Sequence, residues 1–390
     1  MKRHLLFTII ALLSVSMLWA AKPVKKQSGK KSPAKKEVRK GAKDAREDAY
    51  GNMVAEVDSI FYILDDEKET ATVTVSDDPG YYVGLKEIPE VIKYKRNLYS
   101  VIAVGDDAFA GCKGLTGVKF PATIVTIGDR AFKDCVKLKN LSFPTDLVSI
   151  GEEAFMNSSI RAAKLPKTVI ELGDRAFAGT PVKSASFGKE ISSIPEGAFK
   201  GCKELAKVTI PEGITEIEEE AFKGCVALVA VQMPVGVTTL GDEAFADCGA
   251  LATFNLPESV NKVGKEVFRG CVALPNLLIA NGVLLHVPTT ESGEYSIPEN
   301  VKSIAGGAFS DCNGITEIQF HGGITELVAH TFIGCNGIER LDIPKTLKKI
   351  ADEAFLNCIG LKFVIVRGET EVADEAFAGC YNLTSIVHNN

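Results

Sequence analysis

The chain has 390 residues, 46% of them hydrophobic and 24% charged, a balance that excludes wholesale disorder and collagen-like structure. Only five histidines occur, which argues against a multi-histidine metal or acid–base centre. The formal net charge of −6 hides an asymmetry: residues 21–48 carry 11 Lys and Arg against 4 Asp and Glu, while residues 49–390 carry 31 against 46.

The first segment, 1–20, has the layout of an export signal. Lys2 and Arg3 precede an apolar stretch from Leu5 to Trp19, and Ala20-Ala21 supplies small residues for cleavage. The competing reading is a membrane anchor, for which this stretch is short of the ~20 residues a span needs. No other stretch is apolar enough to cross, so no transmembrane span is expected after cleavage. Residues 21–48 are rich in Lys, Ala, Ser and Pro and cannot bury enough surface to offset chain entropy, which predicts a disordered linker. Such a segment is either a solvated spacer or an electrostatic attachment to an anionic surface. Gly29-Lys30-Lys31-Ser32 lacks the leading glycine and preceding strand of a phosphate loop and is rejected as one. Residues 49–102 contain Asp58–Leu64 and Ala71–Val75, short strand-like runs that predict a β-rich cap.

From 103 to 390 the chain repeats. Phenylalanines at 109, 132, 155, 177, 199, 222, 245, 268, 309, 332, 355 and 377 are separated by 22 or 23 residues, except for one interval of 41. In the unit of Phe245, apolar residues follow as Cys248, Leu251, Phe254, Leu256, Val260 and Val263. The period changes from three to two and back, which predicts a helical turn around Phe245 and Cys248 and a short strand through Phe254 and Leu256. A unit of this size buries too few side chains to stand alone, so stacking must complete it. The expected fold is an α/β solenoid of about 12 repeats, with a parallel sheet on one side and short helical turns on the other.

All ten cysteines lie three residues after a repeat phenylalanine, and Ser158 and Thr180 stand there in the other two units. One thiol per rung, replaceable by Ser or Thr, reads as a small buried slot rather than half of a disulfide. No Cys-x-x-Cys pair occurs, so no metal site is expected.

The unit AFxGCxxLxxVxIPxxVxxI, seen at 198–217 as AFKGCKELAKVTIPEGITEI, resembles the BspA-like, or Treponema pallidum-type, leucine-rich repeat. The resemblance covers 103–390 and extends to the opening strands before it. Local departures are the two units without cysteine, and Gly188 and His321 where the strand-ending proline would stand. The resemblance implies an exported protein, secreted, periplasmic or on the cell surface. Its implied partner is an extracellular or cell-surface protein or glycan, including in adhesion to host proteins, and it carries over no catalytic residues. The alternative is an envelope-organising protein held at the surface by its basic segment. No nucleic acid partner and no cofactor are expected.

Within the long interval, Asn281-Gly282 lies between apolar runs and predicts a β-hairpin at about 279–297. It is either inherited architecture or a grip beside a binding surface. The alternation of the strands places Lys119, Ser142, Lys164, Ser186, Thr209, Gln232, Asn255, Leu278, Gln319, Asp342 and Ile365 outward, with Phe363 in the row two positions earlier. This face is the expected binding surface. No Ser/His/Asp or Cys/His set, paired carboxylate site or nucleotide loop stands out, so no enzyme activity is expected.

Overall fold

The computed structural model describes residues 45–78 and 80–389. The export signal at 1–20 and all but the last residues of the basic linker lie outside the described residues. Arg46–Glu47, at the linker's end, is a short strand paired with Met53–Val57 rather than a disordered stretch.

The chain enters through an antiparallel meander, Met53–Val57, Ile60–Asp65 and Thr70–Thr74. Asp58 and Ser59 both take positive φ (51° and 61°), as a two-residue hairpin turn requires. Alternate residues of Ile60–Asp65 are buried, so one face of the meander covers the core. Thr70–Thr74 then pairs in parallel with Asn97–Val104, which makes the meander the first neighbour of the repeat array.

Each repeat is one rung, named here by its phenylalanine. A rung contributes two short strands. The first strands, such as Ser184–Ser186, Lys207–Thr209, Ala230–Gln232 and Thr253–Phe254, form one parallel ladder. The second strands, such as Ser193–Ile194, Glu216–Ile217, Thr239–Leu240 and Lys262–Val263, form another.

The third side corrects the expected helical turns: no helix occurs among the described residues. Around Phe222, every second amide points to the next rung. Glu220 N–H donates to Asp242 O (2.8 Å), Phe222 to Ala244 O (2.9 Å) and Gly224 to Ala246 O (2.8 Å). The intervening amides close tight turns within the rung, including Cys225 N–H to Phe222 O (3.1 Å). Two left-handed residues, Glu220 (φ 53°) and Gly224 (φ 71°), reverse the chain direction where a helix would continue it. The three-residue spacing of Phe and Cys is real, but it comes from successive turns. All twelve residues two after the phenylalanine are Gly, Asp or Asn, and all have positive φ. Those residue types tolerate that conformation best.

The phenylalanine rings stack along the interior. From Phe109 to Phe268 successive centroids lie 5.0–5.8 Å apart with planes within 9° of parallel. The ten cysteines are buried and free. From Cys135 onward each repeat thiol binds the rung before it, for example Cys225 Sγ donating to Phe199 O (3.2 Å) and Cys248 Sγ to Phe222 O (3.2 Å). Burial pushes the pKa of the interior thiols up, to about 12 for Cys135 and Cys248, so those stay protonated donors, whereas at the last rung the hydrogen bond with Cys358 lowers that of Cys380 against burial.

The long interval divides the core into two apolar clusters, which meet at Leu284 and Leu285. Here the structure departs from the expected hairpin at about 279–297. The hairpin closes sooner, between Leu278–Ala280 and Val283–His286, around Asn281 and Gly282, both with positive φ. Gly293–Ser296 pairs instead with Ile315–Gln319 of the following rung. Val287 takes the place of a phenylalanine, donating its N–H to Ala308 O (2.8 Å). The interval is thus a hairpin that runs on into an extra, phenylalanine-free rung.

Candidate binding face

The first-strand ladder decides which side chains face solvent, because residues alternate across it. Lys119, Ser142, Lys164, Ser186, Thr209, Gln232, Asn255, Gln319 and Phe363 are exposed, as the alternation requires. Asp342 and Ile365 are half-buried. Leu278 is a correction: it is only 6% exposed. It belongs to the hairpin, where a register shift between Leu278 and Ile279 turns it inward and leaves Leu277 exposed instead.

Pairing across the ladder shows which of these residues are neighbours. Lys207, Ala230 and Thr253 stand side by side, as do Thr209 and Gln232. Strands in a sheet lie ~4.8 Å apart, so each row is a closely spaced line of side chains. Asn255 is partly occupied by the fold: its amide accepts from Met233 N–H and donates to Met233 O, both at 3.0 Å. Asp342 is held by Arg367 in a bidentate pair at 2.6 Å, and those hydrogen bonds lower its pKa against the opposing effect of burial.

The register also exposes a pattern that spacing alone did not show. Residues 224–241 contain no charged side chain, nor do 248–257, and 270–290 contain only His286 as a titratable base. These stretches supply the first-strand side of the rungs of Phe222, Phe245 and Phe268. Their surface is small, amide-bearing or apolar: Ala230, Gln232, Ala252, Thr253, Asn255 and Asn276, with Val226, Val229, Val272 and Leu277 each 41–49% exposed. Val229 and Ala252 are adjacent through Ala252 N–H to Val229 O (2.9 Å). On the preceding rung the same positions are Lys203, Glu204 and Lys207. The result is an uncharged window three rungs wide on an otherwise charged protein. The signal was in the sequence as a missing charge, but only the register assigns it to one face.

The inserted rung is seated against this window. The Thr289 hydroxyl donates to Val272 O (2.9 Å), and His286 Nε2 lies 3.0 Å from Leu274 O. Burial lowers the His286 pKa, with the Leu274 contact opposing, so its neutral ring serves as a core hydrogen-bonding group. Phe363 and Ile365 form a smaller apolar patch further along, where Ile365 pairs with the exposed Val387.

The turn side of these three rungs is charged. Lys223 reaches Glu220 (2.7 Å) and Glu243 (2.5 Å), and Arg269 reaches Glu243 (2.8 Å), Asp247 (2.9 Å) and Glu266 (2.6 Å). Burial works to raise the pKa of Glu220 and Glu243, but their basic partners outweigh it and hold both below the ordinary value. His330 joins Glu266 (2.6 Å) to Glu353 (2.8 Å) across the junction of the two core clusters. Among the described residues, no group of three or more His, Cys, Asp or Glu is placed to hold a metal ion.

Compared with known proteins, the chain matches the family model for the BspA type leucine rich repeat region, over residues 92–206, 192–285 and 289–390. The chain belongs to this family. A leucine rich cell surface protein from Faecalibacterium prausnitzii is similar in structure at 25% identity, with a TM-score of 0.62, covering 87% of this chain and 95% of that one. A leucine-rich repeat protein from Bacteroides ovatus is similar at 23% identity and a TM-score of 0.54, covering 86% and 99%. The pneumococcal vaccine antigen PcpA shares the fold at 19% identity and a TM-score of 0.51, covering 86% and 82%. No curated protein matches the chain. Among the described residues of this repeat protein, no helix is long and apolar enough to cross a membrane.

Proposed function

We propose that this leucine-rich repeat protein is an exported, surface-associated binding protein that engages its partner through the first-strand face. The observation that carries this reading is the uncharged window over the rungs of Phe222, Phe245 and Phe268. A fold needs water-soluble groups on its outward face, and the neighbouring rungs supply them as Lys and Glu. Removing charge from three successive rungs while exposing Val226, Val229, Val272 and Leu277 favours contact with another molecule. Structural similarity to a leucine rich cell surface protein supports the location. The basic start, apolar core and small-residue site at 1–20 support export.

The test is capture of a partner from intact cells or host matrix by the full chain, compared with a Val229→Asp, Gln232→Lys, Leu277→Asp variant. The reading expects the variant to keep its melting temperature and lose the captured protein or glycan. Capture that survives all three replacements would refute the face assignment.

A further inference from the structure

The two flanks of the window carry opposite charge. Two rungs before Phe245, Lys203 and Lys207 are exposed and make no ion pair among the described residues. Four rungs before it stand Arg161 and Lys164, also exposed. Between them, Lys183 is 3.7 Å from Glu204. Two rungs after Phe245, the inserted rung bears Glu291 and Glu294, and the next bears Glu317. Glu294 and Glu317 are direct partners in the parallel ladder. Like charges side by side on a sheet are destabilising, and no basic side chain neutralises this pair among the described residues.

A basic flank and an acidic flank, about equally far from the same central rung, are self-complementary under a two-fold rotation. We propose that the window docks a second copy of this chain, with the two-fold axis passing through the Phe245 rung. Lys203 and Lys207 of one copy then face Glu291 and Glu294 of the other, twice over, with Lys183 one rung further out facing Glu317, and the uncharged windows meet at the centre. This deepens, and rests on, the reading of the window as a binding face. The layout has the apolar core and polar rim of a protein interface. From the Phe177 rung to the Phe309 rung, three on either side of Phe245, is seven rungs, or about 34 Å at ~4.8 Å each, and the seven residues from the turn through the strand add roughly 23 Å of width. That strip matches the ~800 Å² per partner of a standard stable interface.

Sedimentation velocity of the full chain at micromolar concentration tests the proposal, in low and high salt. Two variants are needed, Lys203→Glu with Lys207→Glu and Glu291→Lys with Glu294→Lys, each checked for an unchanged melting temperature. The wild type is expected to dimerise, more weakly at high salt. Each variant alone should weaken the dimer roughly tenfold or more, because both contacts become like-charged, and an equimolar mixture of the two should restore it. A monomeric wild type, variants that dimerise as the wild type does, or a mixture that fails to recover would each overturn the proposal. The capture assay separates this from the underlying reading. A monomeric chain that still loses its captured partner on replacement of Val229, Gln232 and Leu277 sinks self-docking and leaves the binding face standing.

Discussion

The turn side and the first-strand side of a rung are built from the same chain but solve different problems. On the turn side nearly every group has a structural task. The phenylalanine fills the core, the left-handed residues reverse the chain, the thiol binds the previous rung, and acids such as Asp129 accept the next rung's amide (Glu152 N–H, 2.8 Å). On the strand side the outward positions of the central rungs carry little of that load, Asn255 excepted. The comparison teaches that a solenoid can hold one edge nearly constant while leaving another free to acquire a binding surface.

The sharpest way to break the comparison is to weaken the interior. Phe222→Ala should cost about 3–5 kcal/mol in denaturant unfolding, since it removes a fully buried ring from a continuous stack. Next comes the backbone of the turn. Gly224 has φ 71° with nothing closer to an added Cβ than Gly201 Cα at 3.7 Å, so Gly224→Ala should cost about 1–2 kcal/mol through conformation alone. A gain is expected at Ser158, whose buried hydroxyl has no hydrogen-bond partner among the described residues where most other rungs place a thiol. Ser158→Cys should stabilise by about 1 kcal/mol in the same measurement.

A smaller effect, under about 1 kcal/mol, is expected from the ion pairs across the core junction. Burial works to lower the His330 pKa, but the hydrogen bonds to Glu266 and Glu353 raise it overall. A histidine raised in the folded state contributes stability that is fully present below its unfolded pKa of ~6.5 and is lost as pH rises through the folded value. The stability difference between wild type and His330→Gln should therefore shrink as unfolding is measured from mildly acidic toward alkaline pH. At the small end, Gln232→Ala on the strand side should change stability by no more than ~0.5 kcal/mol. A cost comparable to that of the turn substitutions would erase the distinction between the two sides.

Much of the fold was legible in the sequence because the interior repeats: phenylalanine, cysteine and the strand residues recur with the rung. The turns misled because Phe222 and Cys225 are three apart both in a helix and in these successive turns. The run of Gly, Asp and Asn after each phenylalanine was the available clue, whereas Glu220 or Arg175 at the other left-handed position gives none. The inserted rung was hidden because Val287 replaces the marker phenylalanine. Leu278 was misplaced because a strand alternation was carried across a register shift. Glu266 and His330 are 64 residues apart, and no spacing rule joins them.

Hydrogen exchange at the turns tests the stacked-rung account most directly. The amides of Phe132, Phe155, Phe177, Phe199, Phe222 and Phe245 all donate to the following rung, at 2.7–3.0 Å. They should exchange only with the large opening that separates rungs, as slowly as the most protected amides in the chain. If these six instead exchange at the rate of exposed loops, the turns are not coupled from rung to rung, and the central claim is wrong.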